Sequence, residues 1–268
     1  MTNLPIVIKA QMKIPFQKYQ ATGNDFVIVD NREGKYSFSE NEIKKICERK
    51  FGIGADGIML IEKHPSLDFN LVYFNADGSQ SLCGNGSRAA VLMASALGLV
   101  NGNAKFNAYD GVHEAEILTD GNVRLKMSDV AEVKKTDDGM FINTGSPHFI
   151  KWVNHIRAFN VWDEGRKIRF SHTYKPEGTN VNFVEQLDPN SIFVRTYERG
   201  VEDETLSCGT GVTAAALAAS FLQNVSPITV KTLGGELSVE FQQGHDGAFT
   251  NIFLIGPAKM VFEGILEL

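Results

Sequence analysis

Two segments of the 268-residue chain are apolar at almost every position: AAVLMASAL at 89–97 and VTAAALAASFL at 212–222. A helix without a polar face has to be buried on all sides, so the pattern predicts two central helices. Stretches of strand length, alternating or continuously apolar, surround each of them. FQKYQATGNDFVIVDN (16–31) reads as a strand broken at Thr22–Asp25. GIGADGIMLIEK (52–63) and LDFNLVYFNADGS (67–79) read as two more strands, the latter closing on an Asp-Gly turn. AKFNAYDG, HEAEILTDG and NVRLKMS alternate as strands over 104–128, with a hairpin signal at Asp120-Gly121. One helix in this region is amphipathic. SENEIKKICERKFG (39–52) carries a capping box at Ser39 and Glu42, a glycine stop at Gly52, and Ile43, Ile46, Cys47 and Phe51 on one face.

After residue 129 the order recurs. INTGSPHFIKWV (142–153) takes the place of YQATGNDFVIVD (19–30), and EGTNVNFVE (177–185) that of GADGIMLIE. SIFVRTYERG (191–200) takes the place of DFNLVYFNADG, and the second apolar helix follows. Three strands close the series: ITVKTLGG, ELSVEFQQG and AFTNIFLIGPA. A period this long is a duplicated domain and not a solenoid. The expected fold is therefore α+β, with two homologous domains related by a pseudo-twofold. Each is a curved, mixed or antiparallel sheet wrapped around its apolar helix. The expected boundaries are 1–128 and 129–258, and the last strand, 259–268, is expected to pack back on the first domain.

An apolar share of 43% and a charged share of 22% are those of a soluble globular protein. The net charge of −6 gives no electrostatic reason to expect nucleic acid or an anionic membrane as partner. Neither apolar helix is long enough to span a bilayer. The apolar stretch Leu4–Ile8 lacks the basic residues and cleavage site of a targeting signal, and Met12 is a possible natural start. Three cysteines without a C-x-x-C pair argue against a disulfide scaffold or structural zinc, which leaves a reducing cytoplasm as the default compartment. His64, His113, His155, His172 and His245 show no metal-ligand spacing, so no metal is expected.

The chemistry lies in the repeat itself. Cys83 stands in SLCGNGSR and Cys208 in LSCGTGV, each just ahead of an apolar helix. The free N–H groups and positive dipole end of a helix N-terminus favour an anion. Two consequences are expected. Each thiol pKa drops below its free value of about 8.5. The N–H groups of Gly84, Asn85, Gly209 and Thr210 can hold a carboxylate. A pseudo-twofold makes the two loops face each other, so a small molecule between them has a thiol on either side. That arrangement suits removing a proton from one face of a carbon and returning one to the other. The phosphate-loop reading of CGNG fails for want of the Walker lysine.

GNDFVIVD, GIGADG, FNADGS, CGNGSR, SPHF, GTNVNFV and YERGVEDETLSCGTG, in this order, resemble the motif series of diaminopimelate epimerase from about Lys13 to Leu268. The resemblance implies a cofactor-independent enzyme that interconverts LL- and meso-2,6-diaminopimelate, in lysine and cell-wall precursor synthesis. It implies that Cys208 takes the proton in the LL-to-meso direction and that Cys83 gives one. Asn24, Asn75 and Asn180 match substrate-binding asparagines, Arg199 the partner of the distal carboxylate, and Glu198 the acid that meets substrate ammonium. His148 and Glu198 match groups that tune the cysteines. Some family members carry glutamine at the place of Gly57 and asparagine at that of Ser146. Gly57 offers no side chain to bind with, and the shorter Ser146 is left a contact through water or its backbone. Family analogy and the frequency of twofold assemblies suggest a homodimer. Two other readings stay open: a two-cysteine racemase acting on proline or hydroxyproline, and a non-catalytic amino-acid-binding module. No Schiff-base lysine or phosphate cup for pyridoxal phosphate is recognisable.

Overall fold

A computed structural model describes residues 12–223 and 225–268. The expectation for Leu4–Ile8 lies outside the described residues. The first half holds strands β1 (Lys13–Ala21), β2 (Asn24–Asp30), β3 (Gly57–Glu62), β4 (Phe69–Asn75), β5 (Asn103–Ala108), β6 (Gly111–Ile117) and β7 (Val123–Lys126). Its helices are α1 (Glu40–Cys47) and α2 (Gly84–Ala96). The second half holds β8 (Val133–Thr136), β9 (Gly139–Asn143), β10 (Pro147–Trp152), β11 (Asn180–Asp188), β12 (Ser191–Glu198), β13 (Asp203–Thr205), β14 (Ile228–Thr232), β15 (Gly235–Gln243) and β16 (Phe249–Gly256). Its helices are α3 (Val161–Arg169) and α4 (Gly209–Gln223), and β17 (Lys259–Glu267) closes the chain.

Strand pairing repeats in the two halves, apart from the short β13, which adds to β12 in the second half alone. β1–β2 is antiparallel, β2–β3 parallel, β3–β4 antiparallel, β4–β5 parallel, and β5–β6–β7 antiparallel. β9–β10, β10–β11, β11–β12, β12–β14 and β14–β15–β16 follow the same series. The equivalent strands β7 and β16 pair antiparallel with each other, which joins the two series into one ladder. At the far ends β17 pairs with β1, and β8 with β9.

Each sheet curls around its own apolar helix. α2 packs against β1, β2, β3, β4, β6, β7 and β17, and α4 against β9, β10, β11, β12, β14, β15 and β16. The alternation of a strand explains how. On β2 and β3, Phe26, Ile28, Met59 and Ile61 face α2, while Val27, Val29, Ile58 and Leu60 face α1. On β11, Val184 faces the α4 core, while Val181 and Phe183 pack on the α3 side.

Three details depart from the sequence reading. The stretch at 16–31 is two strands joined by a two-residue turn. Ala21 pairs with Asn24, and Thr22 and Gly23 adopt φ values of 49° and 86°, the left-handed pair of a tight hairpin. Helix α1 has the predicted capping box at Ser39 but ends at Cys47, four residues ahead of Phe51, which is 93% exposed. Helix α3 forms where the sequence gives only a weak helix signal, because Gly165 in its middle lowers helix propensity. A Cβ there would overlap the Tyr197 ring, so the glycine lets α3 lie close on β12.

Candidate active site

The N-termini of α2 and α4 meet. Asn85, in the first turn of α2, donates through Nδ2 to the backbone oxygen of Ser207 (3.0 Å), just ahead of Cys208. A Cβ on Gly209 would lie 3.3 Å from Asn85 Oδ1. Gly209 thus lets the two helix starts approach, the role of a residue without a side chain at a crowded point, whereas a Cβ on Gly84 would make only ordinary contact with Leu254 and Leu125.

Cys83 caps α2, with Gly86 N–H donating to its Sγ (3.4 Å). The same sulfur lies 3.5 Å from Asn24 Oδ1, to which the thiol donates. The Asn24 amide is fixed from behind. Its Nδ2 donates to Asp56 Oδ2 (2.6 Å), and Asp56 also accepts from Asp25 N–H (3.1 Å). Lys18, only 6% exposed, bonds Gly54 O and pairs with Asp25 (2.7 Å), and Arg49 pairs with both acids. Burial pushes the Asp25 carboxyl up, but hydrogen bonds and charge from Arg49 and Lys18 outweigh it and bring the carboxyl to about 2. The first cysteine therefore stands on an ionic base.

The second cysteine stands on a neutral one. Cys208 Sγ lies 3.5 Å from Thr210 Oγ1, which is 2.9 Å from His148 Nε2. His148 is fully buried, and burial, helped by the Arg199 charge, lowers its pKa to about 3. Asn180 is used by the protein itself. Its Nδ2 donates to Ser146 Oγ and Pro147 O, both at 2.9 Å, and its Oδ1 accepts from Arg199 N–H (2.9 Å). Asn180 and Ser146 thus hold the loop that carries His148. Asn75 does similar work on the other side, donating to Ser79 and Ser81. Glu198 accepts from Thr205 Oγ1 (2.8 Å), and burial raises its pKa.

The expectation that the helix N-termini lower the thiol pKa values is overturned. Burial raises Cys83 to about 11, against the bonds from Gly86 and Asn85, and the negative charge of Glu198 adds to the rise. Cys208 is raised further by the same burial and by Glu198. Helix-end donors act on a thiolate only as strongly as desolvation allows. Cys47 is buried in the α1 core as expected, and burial raises it to about 11. Among the described residues no cluster of His, Cys, Asp or Glu is arranged to hold a metal.

Residues the sequence did not single out complete the site. Arg88 is fully buried and donates to Asn85 Oδ1 (2.9 Å), which orients the Asn85 amide toward Ser207. Burial lowers its guanidinium to about 10. Tyr73 lies over Gly57: a Cβ on Gly57 would overlap the ring and sit 2.9 Å from Cζ. Gly57 pairs with Asn75, and Met59 with Tyr73, so the tyrosine shares a sheet face with Asn75. Its hydroxyl has no hydrogen-bond partner among the described residues and is not among the sealed-off polar atoms. A glycine at the place of a polar side chain was the one available signal for it.

The profile of the diaminopimelate epimerase family matches residues 16–133 and 140–261. The chain belongs to the diaminopimelate epimerase family. Its two matched segments fall on the two halves of the fold. The chain is 48% identical to the diaminopimelate epimerase of Flavobacterium psychrophilum, over 92% of this chain and 97% of the relative. It is 41% identical to the enzyme of that name from Chlorobaculum tepidum, over 92% and 98%. Solved structures extend the fold beyond the diaminopimelate epimerase family. A Bacillus anthracis phenazine biosynthesis protein of the PhzF family superposes with a TM-score of 0.76 at 14% identity, over 95% of this chain and 99% of that one. A hydroxyproline epimerase from Agrobacterium vitis gives 0.67 at 13%, over 96% and 93%.

Proposed function

We propose that this chain interconverts LL- and meso-2,6-diaminopimelate by proton transfer between two thiols, without a cofactor, in lysine and peptidoglycan precursor synthesis. The observation that carries the reading is the meeting of two Cys-Gly helix N-termini, bridged by Asn85 and Ser207. The substrate carboxylate beside the reacting carbon takes the N–H groups at 84–85 and 209–210. In the LL-to-meso direction the Cys208 thiolate removes the α-proton and becomes a thiol. The negative charge passes to the carboxylate, where the helix-end donors stabilise it. Cys83 then gives its proton to the opposite face and is left as thiolate. The roles exchange for the reverse direction.

The raised thiol pKa values fit this scheme. Both thiols stay protonated until a cation arrives; the substrate brings its own α-ammonium between the cysteines, and Cys208 then releases its proton to solvent to become the thiolate base. Glu198 meets that ammonium, and Arg199 holds the far carboxylate through a bidentate pair. The Tyr73 hydroxyl supplies the polar contact that Gly57 lacks. We divide the chain at 128/129, with 259–268 belonging to the first domain, and take the enzyme to be a cytoplasmic homodimer. Among the described residues no helix is long and apolar enough to cross a membrane.

A proline-type racemase needs a compact pocket, and the support for it is likeness of fold at 13% identity. LL-diaminopimelate incubated with the reduced protein in deuterium oxide, without pyridoxal phosphate, decides. Meso product carrying deuterium at the inverted carbon is the expected result. The absence of both exchange and inversion with reduced, folded protein overturns the reading.

A further inference from the structure

Behind Cys208 lies a string of uncharged polar groups whose hydrogens have one consistent direction. Thr196 Oγ1 donates to Asn182 Oδ1 (2.9 Å). Asn182 Nδ2 faces His148 Nδ1 at 3.0 Å and Phe149 O at 3.4 Å. A backbone oxygen only accepts, so Phe149 fixes which end of the amide is the NH2. Its other hydrogen meets Nδ1, which must then be the bare nitrogen of a neutral ring. The proton of His148 is left on Nε2, 2.9 Å from Thr210 Oγ1. With an acceptor lone pair so occupied, the threonine is free to turn its own hydrogen toward Cys208 Sγ at 3.5 Å.

We propose that Asn182, oriented by Thr196 and Phe149, selects the Nε2–H tautomer of His148 and so directs the Thr210 hydroxyl at the Cys208 sulfur. Asn182 touches no reacting atom and is a positioning residue. Its effect is to favour the thiolate on one cysteine alone. The proposal rests on the reading of Cys208 as a proton-transferring thiol, but its structural content is independent of turnover. Asn182 and His148 are fully buried and Thr196 is 3% exposed, so water does not compete for these bonds. Gly211 makes the approach possible, since a Cβ there would overlap Asn182 Oδ1 and lie 3.2 Å from His148 Cε1.

The charged and titratable groups bearing on this string are Arg199 beside His148, and Glu198 and Cys83 beside Cys208. All three are retained when Asn182 is altered. Asn182→Asp is the diagnostic change. A carboxylate accepts only, so the ring proton moves to Nδ1 to meet it. Bare Nε2 then takes the Thr210 hydrogen away from sulfur.

The first measurement needs no variant of Asn182. Nitrogen NMR of protein carrying isotope-labelled histidine, with His148→Gln assigning the signal among the six histidines, reads the tautomer directly. A protonated Nε2 with bare Nδ1 is expected, and a protonated Nδ1 overturns the proposal. The second is iodoacetamide alkylation against pH, followed on each cysteine peptide without substrate. In Asn182→Asp the Cys208 rate at fixed pH drops by about tenfold or more, with its profile moved upward, and Cys83 is unchanged. Where Asn182→Asp does not fold, Thr196→Val, which frees the amide, gives the same selective change in smaller measure. Equal slowing of both cysteines, or of neither, overturns the proposal. Because alkylation and tautomer are read without substrate, these outcomes are separate from the success or failure of the deuterium experiment.

Discussion

The surroundings of Cys83 and Cys208 are built on the same backbone and differ in chemistry. Both sulfurs precede a Gly-x-Gly helix start, at the end of equivalent strand series. At Cys83 the side-chain hydrogen-bond partner is a carbonyl oxygen, Asn24 Oδ1, locked in place by Asp56. A carbonyl accepts a hydrogen and so favours the thiol. At Cys208 the neighbour is a hydroxyl able to donate, which pulls the thiol down against the burial and the Glu198 charge that still hold it above Cys83 in the free protein. Behind the first stands a salt-bridged cluster; behind the second stands a neutral histidine. On the proposed mechanism the two halves supply the two faces of the site, and the polar partners of the two sulfurs differ.

The largest test removes either sulfur. Cys83→Ala and Cys208→Ala are each expected to lower epimerisation by about a thousandfold or more, as loss of a general acid or base does. Solvent exchange sharpens the comparison. Cys83→Ala keeps exchange of the LL isomer only, and Cys208→Ala that of the meso isomer only. The opposite pairing would reverse the assigned roles.

The ionic base comes next. The Asp25 carboxyl is depressed from an ordinary value near 3.9 to about 2. A group depressed on folding contributes stability above its unfolded pKa and loses it as pH falls through the folded one. Asp25→Asn should therefore cost on the order of 2 kcal/mol at neutral pH, and more where Lys18 is left buried and unpaired. The gap from the parent should close between about pH 4 and pH 2, as denaturant unfolding would read. Removing His148 should show its own dependence: the ring is held at about 3, below an ordinary histidine near 6.5, so the parent loses stability as pH falls from about 6.5 toward 3 and His148→Gln does not.

The third helical glycines compare the two packings. A Cβ at Gly86 would meet the Met59 methyl, the end of a flexible chain, whereas at Gly211 it would meet the hydrogen-bonded Asn182 and His148. Gly211→Ala should destabilise by about 1–3 kcal/mol, and Gly86→Ala by clearly less, in thermal unfolding. The smallest effect is expected at Tyr73→Phe. Loss of one neutral hydrogen bond should raise KM about fivefold with little change in kcat.

Much of this was legible in the sequence. The repeat, the two buried helices, the Ser39 cap and the meeting of the Cys83 and Cys208 loops follow from periodicity and motif order. What escaped depends on contacts distant in the chain. Gly165 hides α3 because its reason is Tyr197, on another strand. Buried Arg88 looks like the polar start of a helix until Asn85 and Gly84 are seen to receive it. The raised thiol pKa values escape the sequence because local helix geometry is written in CGNG and CGTG, while burial is a property of everything folded around them. Asn182 sits two residues from Asn180, the residue the motif points to, and only the strand's alternation and the position of His148 give it meaning.

The joint between β7 and β16 carries a last consequence. Equivalent strands pairing antiparallel across a twofold form the isologous seam by which two identical subunits would add their sheets edge to edge. In such an assembly every substitution appears twice, so an asparagine placed against one sulfur is placed against both, and acid and base cannot be told apart. Joining the two copies in one polypeptide removed that constraint. The gene could then write Asn24 on one side and Thr210 on the other. Two sulfurs with different polar partners are thus open only to a chain that carries both halves.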